Sequence, residues 1–584
     1  MRKTLLFFSV LVILALLAAC GPATTPPPAT PKPAPAPSPA PAPAPAPTPT
    51  PSPTPPAAPK FDLVSNNYST ATPKTGGIIK YVQISGPSGF DVHTLQSAWA
   101  GGLVVPIFNN LIQINPMYQD ATTANIIGDL AKEWKISPDG TEITFYLHQG
   151  VKWHDGSPFT ADDVVYSLQK MADPKRAARV AATFAAMESV TKVDDFTVKV
   201  KTKFPSPSFL LALCNGYAVI MSKKSETLDP KTPAFLVGTG PFKFKNYVPE
   251  SLFELERNPN YFKKDSAGRP LPYLDGIQIY IMKGMGAGAD AFIAKKLDLI
   301  NPMQVLYLQS DVDKVTRGAP DAKFIPVKAN TPYMIYLNKT FKPFQDPKVL
   351  QAMGLIYSSE DQILARFGAP SFGQPNRGIF SRTWGNSEAD VQKIMGWAGK
   401  TYDQRVAEAK ELMKQSGFPD GFKIRMVYAN VPGAHSEPSF IQYGDALKKY
   451  LNITYELKPY PSNAEAYKAR DAGEWEMFNE ILYISLPDPD GYMSYFKTGG
   501  ASNFMKYSNP EVDKLFDQQT REFDAVKRRE LTLQIEKLIL QDKPVMPGAF
   551  LTGNLYYYPY IMNFGPTAMV YGPENKFEMT WFNK

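Results

Sequence analysis

Residues 22 to 59 are almost wholly proline, alanine, threonine and serine. A segment of that composition has nothing to bury, cannot offset the entropy of ordering, and favours extended polyproline II. Its 38 residues reach at most ~120 Å at ~3.1 Å per residue. It reads as a semi-rigid tether lifting a globular body off a membrane, or equally as a spacer with no length requirement. Either way, whatever folds in this 584-residue chain lies beyond it. About 525 residues remain, enough for two or three domains around a large core.

Ahead of the tether, Met1-Arg2-Lys3 is followed by an apolar run from Thr4 to Ala19 without a charge. A basic start and a short apolar run ending in small residues is the layout of a secretory signal over 1–19. The run is shorter than the ~20 residues needed to cross a bilayer. Leu17-Ala18-Ala19-Cys20 resembles the lipobox of bacterial lipoproteins. The resemblance implies cleavage before Cys20, lipidation of its thiol and acylation of the new amino terminus. Two or more acyl chains hold a protein on a membrane stably, whereas one is marginal. The lipidated cysteine and tether would then occupy 20–71, and the protein would be extracytoplasmic and anchored to the bacterial cell membrane. The alternative is an ordinary signal whose cleavage leaves a cysteine nearby. With Cys20 lipidated, the second cysteine, Cys214, has no disulfide partner, and its apolar run Phe209–Asn215 makes it a small core residue.

The net charge of +7 is spread along the chain without an arginine-rich run or basic repeat, so nucleic acid is not an expected partner. The four histidines, His93, His148, His154 and His435, do not stand at metal-ligand spacing, and no cysteine cluster occurs. A zinc enzyme, a histidine-based hydrolase and any metal or organic cofactor are poorly supported.

The body alternates short strand-like and helix-like pieces, which argues for mixed α and β layers. Glu142–His148 places Ile143, Phe145 and Leu147 on one strand face. Thr160 with Asp163 forms a capping-box pattern ahead of the stripe Val164, Leu168 and Met171. Asp403 is expected to cap a helix carrying Val406, Ala409 and Met413 inward, ended by Gly417 and Pro419. Asn509-Pro510 opens another with Val512, Leu515 and Phe516 inward, and a third runs from about Asp524 to Gln541. No internal repeat or second linker is visible, so the domains are packed together.

The stretch LAKEWKISPDGTEITFYLHQGVKWHDGSPFTADDVVYSLQKM at 130–171 resembles the signature region of solute-binding protein family 5, the extracytoplasmic oligopeptide-, dipeptide- and nickel-binding proteins of ABC importers. Further matching blocks follow in family order: GTGPFKF at 238–244, ELERNPNYF at 254–262, LDGIQIYIM at 274–282 and YLNKTFKPFQDPKVLQAM at 336–353. YDQRVAEAKELMKQSGFPDGF at 402–422, DPDGYMSYF at 488–496 and YSNPEVDKLFDQ at 507–518 complete the set. The resemblance implies a two-lobed, periplasmic-binding-protein-like α/β fold (type II, cluster C) with an extra domain inserted in the first lobe. Carried over by block, 72–107, 236–337 and 541–584 would form lobe I, 108–235 the insertion, and 338–540 lobe II. It further implies a monomer that captures solute in an interlobe cleft and delivers it to the membrane subunits of an ABC permease. Within these blocks, Trp153-His154-Asp155-Gly156 is expected to be a turn and not a metal site. Gly238-Thr-Gly-Pro-Phe is expected to be a tight interlobe turn, since no lysine-bearing helix follows it.

A closing cleft needs contacts from both lobes, because a ligand shifts an equilibrium only by its differential affinity for the two states. The loop from Leu482 to Tyr492 is the most informative place to look. In the family's peptide-binding branch, an aspartate three residues before the counterpart of Asp488 pairs with the ligand's amino terminus. Here that position is Ser485, which cannot neutralise a buried ammonium. Either Asp488 or Asp490 takes over, or the solute has no amine to hold. Oligosaccharide receptors in the family use aromatic platforms, for which Trp99, Trp384 and Tyr483 are candidates. Their plain alternative is packing. Nickel is disfavoured by the unclustered histidines.

A non-enzymatic receptor for a peptide or an oligosaccharide is the expected function. Two other classes compete with it. One is a secreted glycosidase using Asp488 and Asp490, which would need carboxyl groups ~5 Å apart and one raised pKa. The other is a purely structural lipoprotein. The anchor assignment predicts that Cys20→Ser moves the protein from washed membranes to the soluble fraction with an unchanged melting curve. Retention of the variant on membranes would contradict it.

Overall fold

The computed structural model describes residues 68–83, 85–95, 102–300, 309–375, 378–430, 436–482, 484, 486–548, 550–565 and 576–584. Cys20 and the tether lie outside these residues.

Strand β1 (Ile78–Gln83) opens the body and finds its partner far along the chain. A short hairpin of β2 (Ile112–Ile114) and β3 (Ile126–Gly128) follows. Next comes an antiparallel sheet of β4 (Ala131–Ile136), β5 (Glu142–Leu147), β6 (Met187–Asp194) and β7 (Thr197–Thr202), in the order β4-β5-β7-β6. Ile143, Phe145 and Leu147 of β5 are buried, as their alternation predicts. Helix Ala161–Ala172 carries the predicted capping box of Thr160 and Asp163, and Val164, Leu168 and Met171 are buried. Asp163 does more than cap: its carboxylate also accepts the Trp153 indole N–H at 3.2 Å and the Lys223 backbone N–H at 3.1 Å.

Strands β8 (Phe242–Val248) and β9 (Leu252–Arg257) form a hairpin, and β10 (Gly276–Ile281) runs antiparallel to β9 and parallel to β1. Most buried apolar residues of this sheet and of the β4–β7 sheet belong to one continuous apolar core. The expected insertion 108–235 therefore has its own sheet but shares its core with the β1–β10 sheet.

A second sheet system begins with the 15-residue strand β11 (Lys323–Leu337). It includes β12 (Gly373–Gln374), β13 (Lys423–Ala429), β14 (Thr454–Tyr460), β15 (Met477–Ile481), β16 (Val545–Met546) and β17 (Phe550–Tyr557). The order is β12-β17-β11-β15-β13-β14, with β16 on β11. The parallel trio β15-β13-β14 is covered by helices Pro347–Ile356, Tyr402–Lys414 and Ser436–Leu451, whose apolar faces join a second core running from Met334 to Met546. A two-stranded ladder of β18 (Ile561–Met562) and β19 (Trp581–Phe582) closes the chain.

Three local expectations are refined. Helix Tyr402–Lys414 is capped by Thr401 in a capping box with Gln404, and Asp403 sits in its first turn. The preference has a physical cause: a box satisfies two orphan N–H groups reciprocally, and an acidic residue inside the first turn adds a favourable dipole interaction. The Gly238–Phe242 segment is a tight turn, yet it packs within the first core. A Cβ on Gly238 would stand 1.8 Å from the Ile107 carbonyl oxygen, so only glycine fits that approach. His154 clamps the same turn. Its Nε2–H donates to the Gly240 carbonyl at 3.0 Å, and its Nδ1 accepts the Gly238 N–H at 3.3 Å. Cys214 is buried, its thiol facing the Leu210 carbonyl.

The carboxy-terminal segment is fastened to the first core by buried charge. Fully buried Asp129 pairs with Lys263 at 2.6 Å and with Lys576 at 2.5 Å, and Lys263 also meets Glu578 at 3.0 Å. Against its burial, the two ammoniums hold the Asp129 carboxyl down to about 2.

Burial pulls the His154 ring down to about 4. The folded state thus prefers the neutral ring, and the unfolded chain takes up the proton first. Stability in place above pH ~6.5 should fall progressively as the pH drops toward about 4. His154→Gln should flatten that slope in urea titrations at pH 7, 5.5 and 4.5. An unchanged slope would mean that His154 is not held neutral.

Candidate functional site

The two cores meet where β11 changes partners. Residues Lys323–Pro332 pair with β17, and residues Tyr333–Leu337 pair with β15 and β16. The ladder shifts register between Lys328 and Pro332. Met334–Leu337 and Val545–Met546 pack in the second core. The chain thus passes between cores inside β11 and again between β16 and β17. At this crossing Gly548 is pressed against β11 so closely that a Cβ would lie 1.2 Å from the Tyr333 carbonyl oxygen.

A small apolar cluster of Ile363, Phe367 and Phe372 seals the crossing, with Tyr333 and Val312 packed against it. Val312 belongs to helix Gln309–Gly318, whose buried Val315 packs with Val82, Phe292 and Tyr556 on the β1 side. Beside the cluster lies a cavity of ≈ 20 Å³ lined by Tyr333, Tyr357, Gln362, Arg366, Ser439 and Asn479.

The 482–492 loop also bridges the cores. Leu482 and Ile484 are buried in the second core, and Leu486 is buried in the first. Of the residues singled out from the sequence, Trp99, Tyr483 and Ser485 lie outside the described residues. Trp384 is buried beneath the loop, where its indole N–H donates to the Pro487 carbonyl at 3.1 Å and the Arg528 guanidinium stands 5.2 Å from its ring centre. Its faces are occupied by protein, which gives it a supporting place and not an open platform.

Asp488 is fully buried and takes both terminal nitrogens of Arg528, at 2.6 and 2.7 Å. Burial pushes its carboxyl up, opposed by the Arg528 guanidinium. Against burial in turn, Asp488 and Asp490 hold Arg528 above its ordinary value. Asp490 accepts from Ser208 at 2.5 Å through one oxygen, and from Gln519 and Thr520 at 2.5 and 2.6 Å through the other. A carboxyl pair working on a glycoside must flank an open bond with room for an acid and a nucleophile. These two aspartates instead hold the loop to Arg528 and to the Ser208 segment, so neither the amine-binding nor the glycosidase role fits their geometry.

Ser208 marks a second meeting line between the two cores. Arg382 pairs with Asp120 at 2.9 Å, and Arg521 stands 5.2 Å from the Phe204 ring centre. Asp120, Phe204 and Ser208 all belong to 108–235. The cores therefore touch at the β11 crossing and again along this line.

Two arginines that sequence reading passed over carry much of this arrangement. Arg366 and Arg528 both sit in helices, Ser359–Phe367 and Ala525–Asp542, where an arginine ordinarily faces water. Their burial is set by segments far away in the chain.

Comparison with known structures shows the class of fold. A substrate-binding protein of an ABC transporter from Listeria monocytogenes superposes with a TM-score of 0.73 at 23% identity, over 88% of this chain and all of that one. The fold is thus the two-lobed α/β fold of such binding proteins. Residues 125–504 match the family model described as bacterial extracellular solute-binding proteins, family 5, middle, and the chain belongs to that family. A provisionally named ABC transporter peptide-binding protein of Brucella ovis is 36% identical over 487 residues, 79% of this chain and 85% of the relative. A dipeptide-binding protein of Bacillus subtilis is 23% identical over 477 residues, 78% and 83% of the two chains. Among the described residues no helix is long and apolar enough to cross a membrane.

Removing one partner of a buried ion pair leaves the other charge uncompensated and costs about 3–5 kcal/mol. Asp488→Asn should therefore lower unfolding stability by that amount in urea titrations. Asp490→Asn, whose shortest contacts are neutral donors and whose contact with Arg528 is 3.7 Å, should cost clearly less. Equal losses would mean that the bidentate pair is not the stronger tie.

Proposed function

We propose that this chain is the lipid-anchored substrate-binding protein of an ABC importer, taking a peptide-like solute between two lobes and passing it unchanged to the permease. The carrying observation is β11: one strand serves both cores, so bending near Pro332 moves the cores as bodies without breaking either sheet. The 36% identical relative named as peptide-binding supports the peptide class, and Leu17–Cys20 supports the anchor.

On this reading lobe I comprises 72–107, 236–337 and 541–584, with 108–235 as its accessory domain and 338–540 as lobe II. The hinge falls inside β11 and between Met546 and Phe550, slightly inside those limits. The tether lets a monomeric body sample the space outside the membrane while staying near its permease.

Solute that touches both lobes stabilises the closed form by the contacts that closure adds. The Asp120–Arg382 pair and the Ser208–Asp490 hydrogen bond close the far edge of the same boundary, so they would share in holding the closed state. At about 100 times its Kd, a true solute should stabilise folding by about 2.7 kcal/mol. A thermal-shift panel of short peptides should find such solutes, and small-angle scattering should show a smaller radius of gyration when they are bound. Unchanged scattering with a bound solute, or a solute recovered chemically altered, would refute the reading. Arg382→Ala should weaken that solute's binding by about two- to five-fold, mainly through faster release, the scale of one partly exposed ion pair.

A further inference from the structure

We propose that the side-chain amine of Lys339 is a modification site for aldehydes, which it takes up as an imine, and that neighbouring Lys543 activates it. Lys339 follows the last residue of β11 by two positions, at the end of the strand opposite the partner change. The site is therefore apart from the crossing and does not depend on which solute the cores enclose.

Both amines converge on the carboxy-terminal end of helix Ala525–Asp542. Lys339 Nζ donates to the Asp542 carbonyl at 3.3 Å. Lys543, the left-handed residue that caps the helix, donates from Nζ to Gln351 Oε1 at 2.6 Å and to the Gln541 carbonyl at 3.4 Å. The Lys339 backbone is fixed: its N–H donates to the Met505 carbonyl at 2.9 Å, and its carbonyl accepts from Gln345 Nε2 at 3.2 Å. The Asp542 carboxylate is turned to other partners, accepting the Tyr507 hydroxyl and Asn509 Nδ2, each at 2.7 Å. Among the described residues neither amine stands in an ion pair. Three other lysines of the interior do: Lys170 with Asp91 at 2.7 Å, and Lys263 and Lys576 with Asp129 at 2.6 and 2.5 Å.

Two like charges held together away from water favour loss of a proton from one of them. The carboxy-terminal end of a helix carries about half a negative charge, so one ammonium more than matches it and the second amine is surplus. Burial pulls both amines down to about 8, opposed in each case by Asp542, and Lys339 lowers Lys543 further. The charged groups that face the pair are thus Asp542 and the amines themselves, with Tyr507 donating to Asp542. A neutral amine has a lone pair and an ammonium has none, and an adjacent cation is one way a lysine is activated for attack on a carbonyl. Access separates the two residues. Lys543 is 2% exposed, whereas Lys339 is half-buried and reaches solvent. Lys339 meets the reagent, and Lys543 acts on it through charge.

The step needs only an aldehyde, the open-chain form of a reducing sugar included. The Lys339 Nζ lone pair attacks the carbonyl carbon and a C–N bond forms. The carbinolamine then loses the former carbonyl oxygen with the two amine hydrogens as water, which leaves a C=N bond. No electrons pass to or from another reagent, and hydrolysis reverses the step. The neutral imine removes one of the two charges that repel each other at the helix end, so the fold favours the product on the same grounds that it favours the neutral amine.

The test treats the full chain with limiting glyceraldehyde, traps imines with cyanoborohydride, and maps the modified lysines by mass spectrometry at a series of pH values. At pH ~7.5 an amine titrating at about 8 is about a quarter neutral, and an ordinary lysine about a thousandth. Half-burial and lower intrinsic nucleophilicity offset part of that ratio, so Lys339 should be trapped at least about tenfold faster than the median exposed lysine. Its rate should level off above pH ~8, while exposed lysines keep gaining to pH ~10. Lys543→Met keeps the length of the neighbouring side chain and removes its charge. It should slow trapping at Lys339 at least about threefold at pH ~7.5 and move the plateau to higher pH. If Lys543→Met does not fold, the wild-type rate and pH profile decide alone. Trapping at Lys339 no faster than at exposed lysines, or a rate still rising beyond pH ~9, would overturn the reactive amine. An unchanged rate and profile in a folded Lys543→Met would overturn the part given to Lys543. None of these outcomes touches the receptor reading.

Discussion

A strand shared by two cores is the constraint on which the rest of this structure depends. β11 is hydrogen-bonded over its first part to β17 and over its last part to β15 and β16, so neither sheet can form without it. Long-range pairing of this kind brings the middle of the body and its carboxy-terminal part together: β17 lies more than two hundred residues beyond β11. The ladder is irregular between Lys328 and Pro332, where the strand leaves one core for the other, and such an irregularity bends and twists the strand locally. Gly548 belongs to the same device, since its missing Cβ lets the returning chain lie on the β11 backbone.

Buried charge does three different things around that strand. At Asp129 two lysines meet one carboxylate, with Glu578 serving one of them, and the carboxy-terminal segment is tied to the first core. At Asp488 a bidentate arginine pins the loop that spans both cores. Both arrangements put opposite charges in direct contact, the condition under which ions tolerate burial. At Arg366 the guanidinium donates to the Asn479 amide oxygen and the Ser436 hydroxyl and lies over the Tyr333 ring. Elsewhere buried charge is met by dipoles: fully buried Glu536 accepts the Ile379 and Phe380 backbone N–H groups at 2.6 and 2.7 Å.

Much of the local structure was legible in the residues themselves. The alternation over Glu142–Leu147, the Thr160–Asp163 box and the Asn509-Pro510 helix start depend on neighbours within a few positions, and each is found as read. The cap falls on Thr401 and not on Asp403: both are good capping residues, and Thr401 has Gln404 three positions on to complete a reciprocal box. The Gly238 turn was read correctly as a turn but placed between lobes, although its contacts are to Ile107 and His154 within one core.

The chain's order of apolar, polar and turn residues determined its elements, its mixed α/β class and its membership of a solute-binding family. These properties are carried by periodicity and by contiguous blocks. The roles of individual charged residues were decided by tertiary structure. Asp488 and Asp490 look like site carboxylates in their loop, and in the folded chain Arg528 ties the first while Ser208, Gln519 and Thr520 tie the second. Arg366 looked like a surface residue of its helix, and Tyr333, Ser436 and Asn479 made it a buried cation beside a cavity. Burial and pairing are properties of what the folded chain brings near, and no local pattern encodes that.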